Sequence, residues 1–223
     1  TSRALAGISH ERLSAARRKA CEALLCERNE AGTWVGELST SALATATATL
    51  ALHLYVVSGH AGERVEEIER LVESGRDWLL DHQNEDGGWG DTALSFSNIS
   101  TSMLAHATLA AVTETRSPVS DGRLAEVLGG AEAYIERAGG VDAVLARYGS
   151  DRTFSVPILT HCALAGTVDW RRVIALPLEL AALPPGFYKA VRLPVVSYAL
   201  PALIAIGLVR FHSRPPWNPL VWL

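Results

Sequence analysis

A repeated turn constrains this chain more than any other feature of its sequence. Arg28-Asn29-Glu30-Ala31-Gly32-Thr33-Trp34 recurs as Gln83-Asn84-Glu85-Asp86-Gly87-Gly88-Trp89 at an offset of 55 residues. Downstream, Ser39-Thr40-Ser41-Ala42-Leu43 aligns with Ser100-Thr101-Ser102-Met103-Leu104 at an offset of 61, so the second copy carries a longer loop. A degenerate third copy, Pro157 to Leu164, overlays Ser102 to Leu109 at an offset of 55 and pairs His161 with His106. Fixed periods of this length belong to arrays of one supersecondary unit, stacked because no single unit can bury its own apolar face.

Each unit reads as helix, turn, helix. Leu13, Ala16, Ala20, Ala23, Leu24 and Leu25 form an apolar stripe near helical spacing before the first turn. Ser39 or Thr40 is the expected cap for the apolar run Leu43–Val57, and Ser100 for Met103–Val112. A charged helix is expected between Glu63 and His82, with further helices over Glu126–Ala138 and Val141–Tyr148, divided by Gly139-Gly140. No convincing alternating strand is present. Helices rich in Ala and Thr alternate with charged ones, which suggests an inner ring and an outer ring. The expected fold is all-α, an α/α barrel (toroid) of antiparallel helix pairs, forming a single domain over residues 1–223.

Composition removes several function classes. A formal net charge of −4 supplies no basic face to neutralise phosphates, so no nucleic acid is expected as a partner. Cys21, Cys26 and Cys162 lack metal-ligand spacing and read as buried thiols of a reducing compartment. Charges interrupt the N-terminal stretch, so it does not read as a secretory signal. The apolar run Val195–Val209 is broken by Pro201 and falls short of the ~20 residues that a spanning helix needs. His106 and His161 lack a companion carboxylate cluster and read as interior histidines, leaving no expected metal site and no cofactor. Glu37 and Asp91 each follow a turn tryptophan and read as capping or solvated carboxylates. Glu179 sits uncomfortably in the apolar run LPLELAALPP.

Gln83, Gly87 and Trp89, with Gly32 and Trp34 in the first copy, read as structural residues. The glycines permit a tight connection and the tryptophans supply flat area for burial. The segment Gln83 to Gly90 resembles the QW motif of squalene–hopene and oxidosqualene cyclases. Val168-Asp169-Trp170-Arg171-Arg172-Val173 through Glu179 is similar to that family's Trp-x-x-Val-Pro-x-x-Pro-x-Glu segment. Phe187-Tyr188-Lys189 and Arg214-Pro215-Pro216-Trp217-Asn218-Pro219 resemble the family's sequence downstream of that segment. The resemblance covers about residues 10 to 220 and identifies the N-terminal half of a class II terpenoid cyclase.

That resemblance implies a barrel that completes the cavity and lipid entrance for a linear polyprenoid substrate. The family's catalytic Asp-x-Asp-Asp motif lies in a second barrel. Here no Asp-Asp pair occurs, and Ala44-Thr45-Ala46-Thr47 stands where some members carry glutamates. No catalytic residue is therefore assigned to this chain, and the isomerase or lyase chemistry of the family is expected to need the acid-bearing half as partner, on the same parent chain or another. An apolar segment over residues 176–210 is expected to face a membrane surface or that partner. Phe187, Tyr188, Leu193, Val196, Tyr198 and Pro201 are its candidate substrate-channel or membrane-facing residues, rimmed by Lys189, Arg192, Arg210 and Arg214. The implied location is cytoplasmic, peripheral on the inner face of the cytoplasmic membrane. The alternative is a lone α/α barrel that binds a prenyl lipid or another protein without catalysis.

Overall fold

A computed structural model describes residues 9–35, 39–114, 122–149, 152–175, 184–190 and 200–215. Among these residues there are helices and turns and no strand, so the chain is all-α, with the helix pairs that an α/α toroid uses. It divides into two compact units, Thr1–Ser39 and Thr40–Leu223.

The first unit contains α1 (His10–Cys26) followed by the first turn. Ser9 caps α1 by accepting from the backbone N–H of Arg12. Cys21 and Cys26 are exposed on this helix, so the expectation of buried thiols holds for Cys162 alone. Burial pushes the Cys162 thiol up to about 12, which leaves it an inert apolar group.

The second unit runs through α2 (Ala42–Val57), α3 (Val65–Asp81), α4 (Ile99–Glu114), α5 (Gly122–Ala138), α6 (Gly140–Tyr148), α7 (Arg152–Leu164), α8 (Pro185–Ala190) and α9 (Leu200–Ser213). Helix α4 is central and packs against α2, α3, α5, α6 and α7. Its residues are buried from Ile99 to Ala105 and again at Ala107, Thr108, Leu109, Ala111 and Val112. A helix enclosed on nearly all sides has no use for a polar face, and ISTSMLAHATLAAV supplies none. By contrast, α3 is amphipathic, burying Ile68, Val72, Leu79 and Leu80 while its glutamates stay outside.

Helices α2, α4 and α7 thus form the inner row, and α3, α5 and α6 lie outside it. Small residues let the rows approach. A Cβ built on Gly75 of α3 would meet the Thr49 hydroxyl of α2 at 2.0 Å, so only glycine fits there. Residues from α2, α3, α4, α5, α6 and α7 share one core, to which Trp89, Ala165 and Val173 also belong.

Two caps differ from those expected. Helix α2 is capped by Ser41, which accepts from the Ala44 N–H at 3.2 Å, and not by Ser39 or Thr40. Helix α4 is capped by Asn98, which accepts from the Thr101 N–H at 3.0 Å, while the Ser100 hydroxyl meets the Tyr148 hydroxyl instead. The two shifts run in opposite directions: α2 starts later than its expected caps, whereas the first turn of α4 takes in Ile99, Ser100 and Thr101 ahead of the apolar run, because short polar residues cap well and need no burial.

Candidate functional site

The glutamine–tryptophan turn closes by bonds that the two copies share atom for atom. In the second copy the Trp89 indole N–H donates to the Leu79 carbonyl at 2.9 Å, ten residues back. In the first, Trp34 donates to the Leu24 carbonyl at 2.6 Å, again ten residues back. The Gly87 N–H donates to the Asn84 carbonyl and the Asn84 N–H to the Gly88 carbonyl. Gly32 and Asn29 repeat both bonds with Asn29 and Thr33, all at 2.9 Å. Gly32 and Gly87 both sit at positive φ, 78° and 88°. Each indole therefore satisfies a carbonyl at a helix C-terminus, one of the groups that helix geometry leaves orphaned.

Position 28 shows how far the motif can drift. Gln83 donates from Nε2 to the Gly87 carbonyl at 2.8 Å. Arg28 donates from Nε to the Gly32 carbonyl, also at 2.8 Å, so a guanidinium N–H replaces an amide N–H. Gln83 does more. Its Nε2 also reaches the Val127 carbonyl of α5 at 2.9 Å, tying the turn to a helix 44 residues away. Asp86 completes the clamp: its carboxylate accepts from the Gly88 N–H and the Ser97 hydroxyl, and its backbone carbonyl accepts from Arg137. These bonds tie the turn to its own loop and to α5.

The longer loop after Trp89 holds the candidate carboxylate Asp91. It accepts from the Thr101 hydroxyl at 2.6 Å and the Asn98 amide at 2.8 Å. These two bonds, Thr101 first, hold its pKa below the ordinary aspartate value. A carboxyl group stabilised as its anion is a poor proton donor, which agrees with a capping role. Glu37 and Glu179 lie outside the described residues.

The histidines at equivalent repeat positions have parted in role. His161 is buried on α7, with Nε2 3.2 Å from the Leu104 carbonyl and 3.0 Å from the Thr108 hydroxyl. A carbonyl can only accept, so Nε2 carries a proton and donates it. Thr108 in turn lies 3.0 Å from the Ala46 carbonyl of α2, so one hydroxyl links all three inner helices. Desolvation lowers the His161 pKa to about 4. The unfolded chain takes up this proton below about pH 6.5, whereas the folded chain resists until about pH 4. Stability is therefore full above pH 6.5 and falls through that window by about 2–3 kcal/mol. Urea unfolding at pH 7 and pH 4.5 should show the loss, and His161→Gln should flatten the slope.

His106, by contrast, is half-buried on α4 and faces Glu132 of α5 at 3.5 Å. The pair lines a cleft of about 360 Å³ whose other walls include Met103, Ile135, Glu136, Val141 and Val168. Among the described residues no group of three His, Cys, Asp or Glu side chains is placed to hold a metal ion.

The C-terminal candidates are partly within view. Phe187 on α8 is exposed, and α9 exposes Ile204, Leu208 and Val209. Tyr188 falls on α8 and Pro201 on α9. Leu193, Val196 and Tyr198 lie outside the described residues, as do 176–183 and the rest of 191–199. Arg210 anchors α9 by donating to the Val173 carbonyl at 2.9 Å. No described helix is long and apolar enough to cross a membrane.

The repeated turn, the inner row of small-residue helices and the segment after Val168 agree with one comparison. The family model of the squalene-hopene cyclase N-terminal domain matches residues 18–199. The chain belongs to this family. Comparison with curated proteins and with solved structures found no significant match. The cyclase-domain match spans both tryptophan turns and both histidines, so the bonds described above belong to the cyclase domain itself. Sequence reasoning missed the α4 cap and the Asp86 clamp. Asn98 at the end of the loop was the available signal for the first; nothing local announced the second.

Proposed function

We propose that this chain is the N-terminal half of a class II terpenoid cyclase. In this reading it completes the cavity and lipid entrance for a linear polyprenoid, while an Asp-x-Asp-Asp barrel on the same parent chain or another polypeptide supplies the acid. The match to the squalene-hopene cyclase N-terminal domain over residues 18–199 carries the reading. The chemistry of the carboxylates supports it. Protonating an alkene needs an unusually strong acid in a dry pocket. Asp91 is exposed and held as its anion, and the sequence contains no Asp-Asp pair.

The same proposal places the protein peripherally on the inner face of the cytoplasmic membrane. Phe187 on α8 and Ile204, Leu208 and Val209 on α9 are exposed, and the same stretches of chain carry Lys189, Arg210 and Arg214, the residue types that a monotopic contact uses. Liposomes loaded with squalene test both parts. The chain alone should co-sediment with them and release no cyclised product, and addition of the acid-bearing half should bring turnover. Product from the chain alone overturns the division of labour. Lipid binding with no turnover in the presence of the other half favours a stand-alone prenyl-lipid carrier instead.

A further inference from the structure

The cleft beside His106 draws its walls from four parts of the chain. Met103 and His106 come from α4, Glu132 and Glu136 from α5, Val141 from α6, and Val168 from the segment after α7. Its volume, about 360 Å³, lies at the small end of the range for ligand sites. Its polarity is graded. Met103 is buried, and Ile135, Val141 and Val168 are partly buried, whereas Glu132 and Glu136 are exposed. An apolar interior thus opens at a mouth that carries two carboxylates.

Those carboxylates lack a cation. Glu132 and Glu136 stand one helical turn apart, a spacing at which like charges repel. No Lys or Arg lines the cleft among the described residues. Arg137 is adjacent in sequence, but its guanidinium donates to the Asp86 backbone carbonyl, and Arg172 pairs with Asp142. Glu132 faces the His106 Nε2 at 3.5 Å, longer than a formed hydrogen bond, so its lone pairs stay available. The repeat sharpens the contrast. The equivalent imidazole of His161 is closed off by Leu104 and Thr108, whereas that of His106 opens on the cleft.

We propose that this cleft binds a small organic cation with an apolar tail, of the alkylammonium class. The ammonium donates to Glu132 and Glu136 at the mouth, and the tail lies against Met103, Ile135, Val141 and Val168. Methionine suits such a wall because its unbranched thioether adapts to the occupant. Thr167 also lines the cleft; its hydroxyl donates to the Cys162 carbonyl and so offers its oxygen as a further acceptor. A bare metal ion fits less well, since no three His, Cys, Asp or Glu side chains converge on one among the described residues. An alkyl carboxylate would bring a third negative charge to the mouth. The site is the same whichever polypeptide carries the acid of the cyclase.

Met103 is the only methionine of the chain, so methyl carbon-13 labelling of methionine reports on the cleft through one resonance. Hexylammonium chloride at pH 7 should move that resonance saturably, with a Kd on the order of millimolar, because the carboxylates are exposed. Hexanol should bind at least about fivefold more weakly, and hexanoate should leave the signal in place. Glu132→Gln with Glu136→Gln should weaken hexylammonium binding by at least about fivefold with an unchanged thermal melt. A Met103 resonance that hexylammonium does not move overturns the proposal. So does equal affinity for hexanol or hexanoate, a comparison that needs no variant, and so does equal affinity of the folded double variant. The same saturable shift from magnesium chloride at equal concentration overturns the assignment to an organic cation.

Discussion

Trp89→Ala will lower the stability of the helical unit by about 3–5 kcal/mol, a large share of what a domain of this size commands. The indole is fully buried in the main core, beside the end of α3. Its removal leaves a cavity that the surrounding helices cannot fill, because the Trp89 backbone is itself held by Ser102 and Asn98. It also takes the indole donor from the Leu79 carbonyl, which keeps the longer bond from the His82 N–H at 3.4 Å. Trp89→Phe separates these effects. It keeps much of the ring volume but not the donor, so it should cost about 1–3 kcal/mol. Urea unfolding followed by far-UV circular dichroism measures both. A Trp89→Phe loss as large as that of Trp89→Ala would mean that the hydrogen bond outweighs the packing.

Gly87→Ala should be nearly as damaging, although it adds a single methyl group. Gly87 holds φ at 88°, where a side chain costs about 1–2 kcal/mol. Its Cβ would also lie 2.3 Å from the Gly130 carbonyl oxygen, a backbone atom of α5 that cannot swing aside. Relief requires the turn to move off α5, which breaks the bond from Gln83 to the Val127 carbonyl. A combined loss of about 2–5 kcal/mol is expected. Gly130→Ala is the control. Its Cβ would make ordinary contacts, with the Gln83 amide from 3.4 Å and the Gly87 Cα at 3.7 Å, and Gly130 has no positive φ. That variant should melt close to wild type in the same thermal scan. If Gly87→Ala melts there too, the close approach of turn and α5 is not what holds the pair together.

The two variants show why so much of this fold was legible. Each tryptophan turn closes on a carbonyl ten residues back, so a short window of sequence contains both donor and acceptor. The same locality lets Arg28 stand in for Gln83, since any N–H of suitable reach can meet the glycine carbonyl. Alternation of small-residue and charged helices likewise predicts the inner and outer rows. Caps were less legible, because Asn98 and Ser100 are both good candidates and only the helix start decides between them. Apolar character misleads most at Leu94 and Phe96, which a composition-based reading would bury and which stand exposed.

His106 and His161 mark the boundary between what the sequence by itself determined and what only the tertiary structure decided. The repeat places them at equivalent positions on inner helices, and that much comes from spacing alone. One is locked to Leu104 and Thr108 and held neutral, while the other stands half-open beside Glu132 in a cleft. Nothing within either repeat sets that difference. The neighbours of His161 lie 53 and 57 residues away on α4, and Glu132 belongs to a different outer helix. The sequence determined the repeated turn, the helices and the family, because their bonds close within a few residues. Burial, protonation and exposure were decided by which distant helices came to lie alongside.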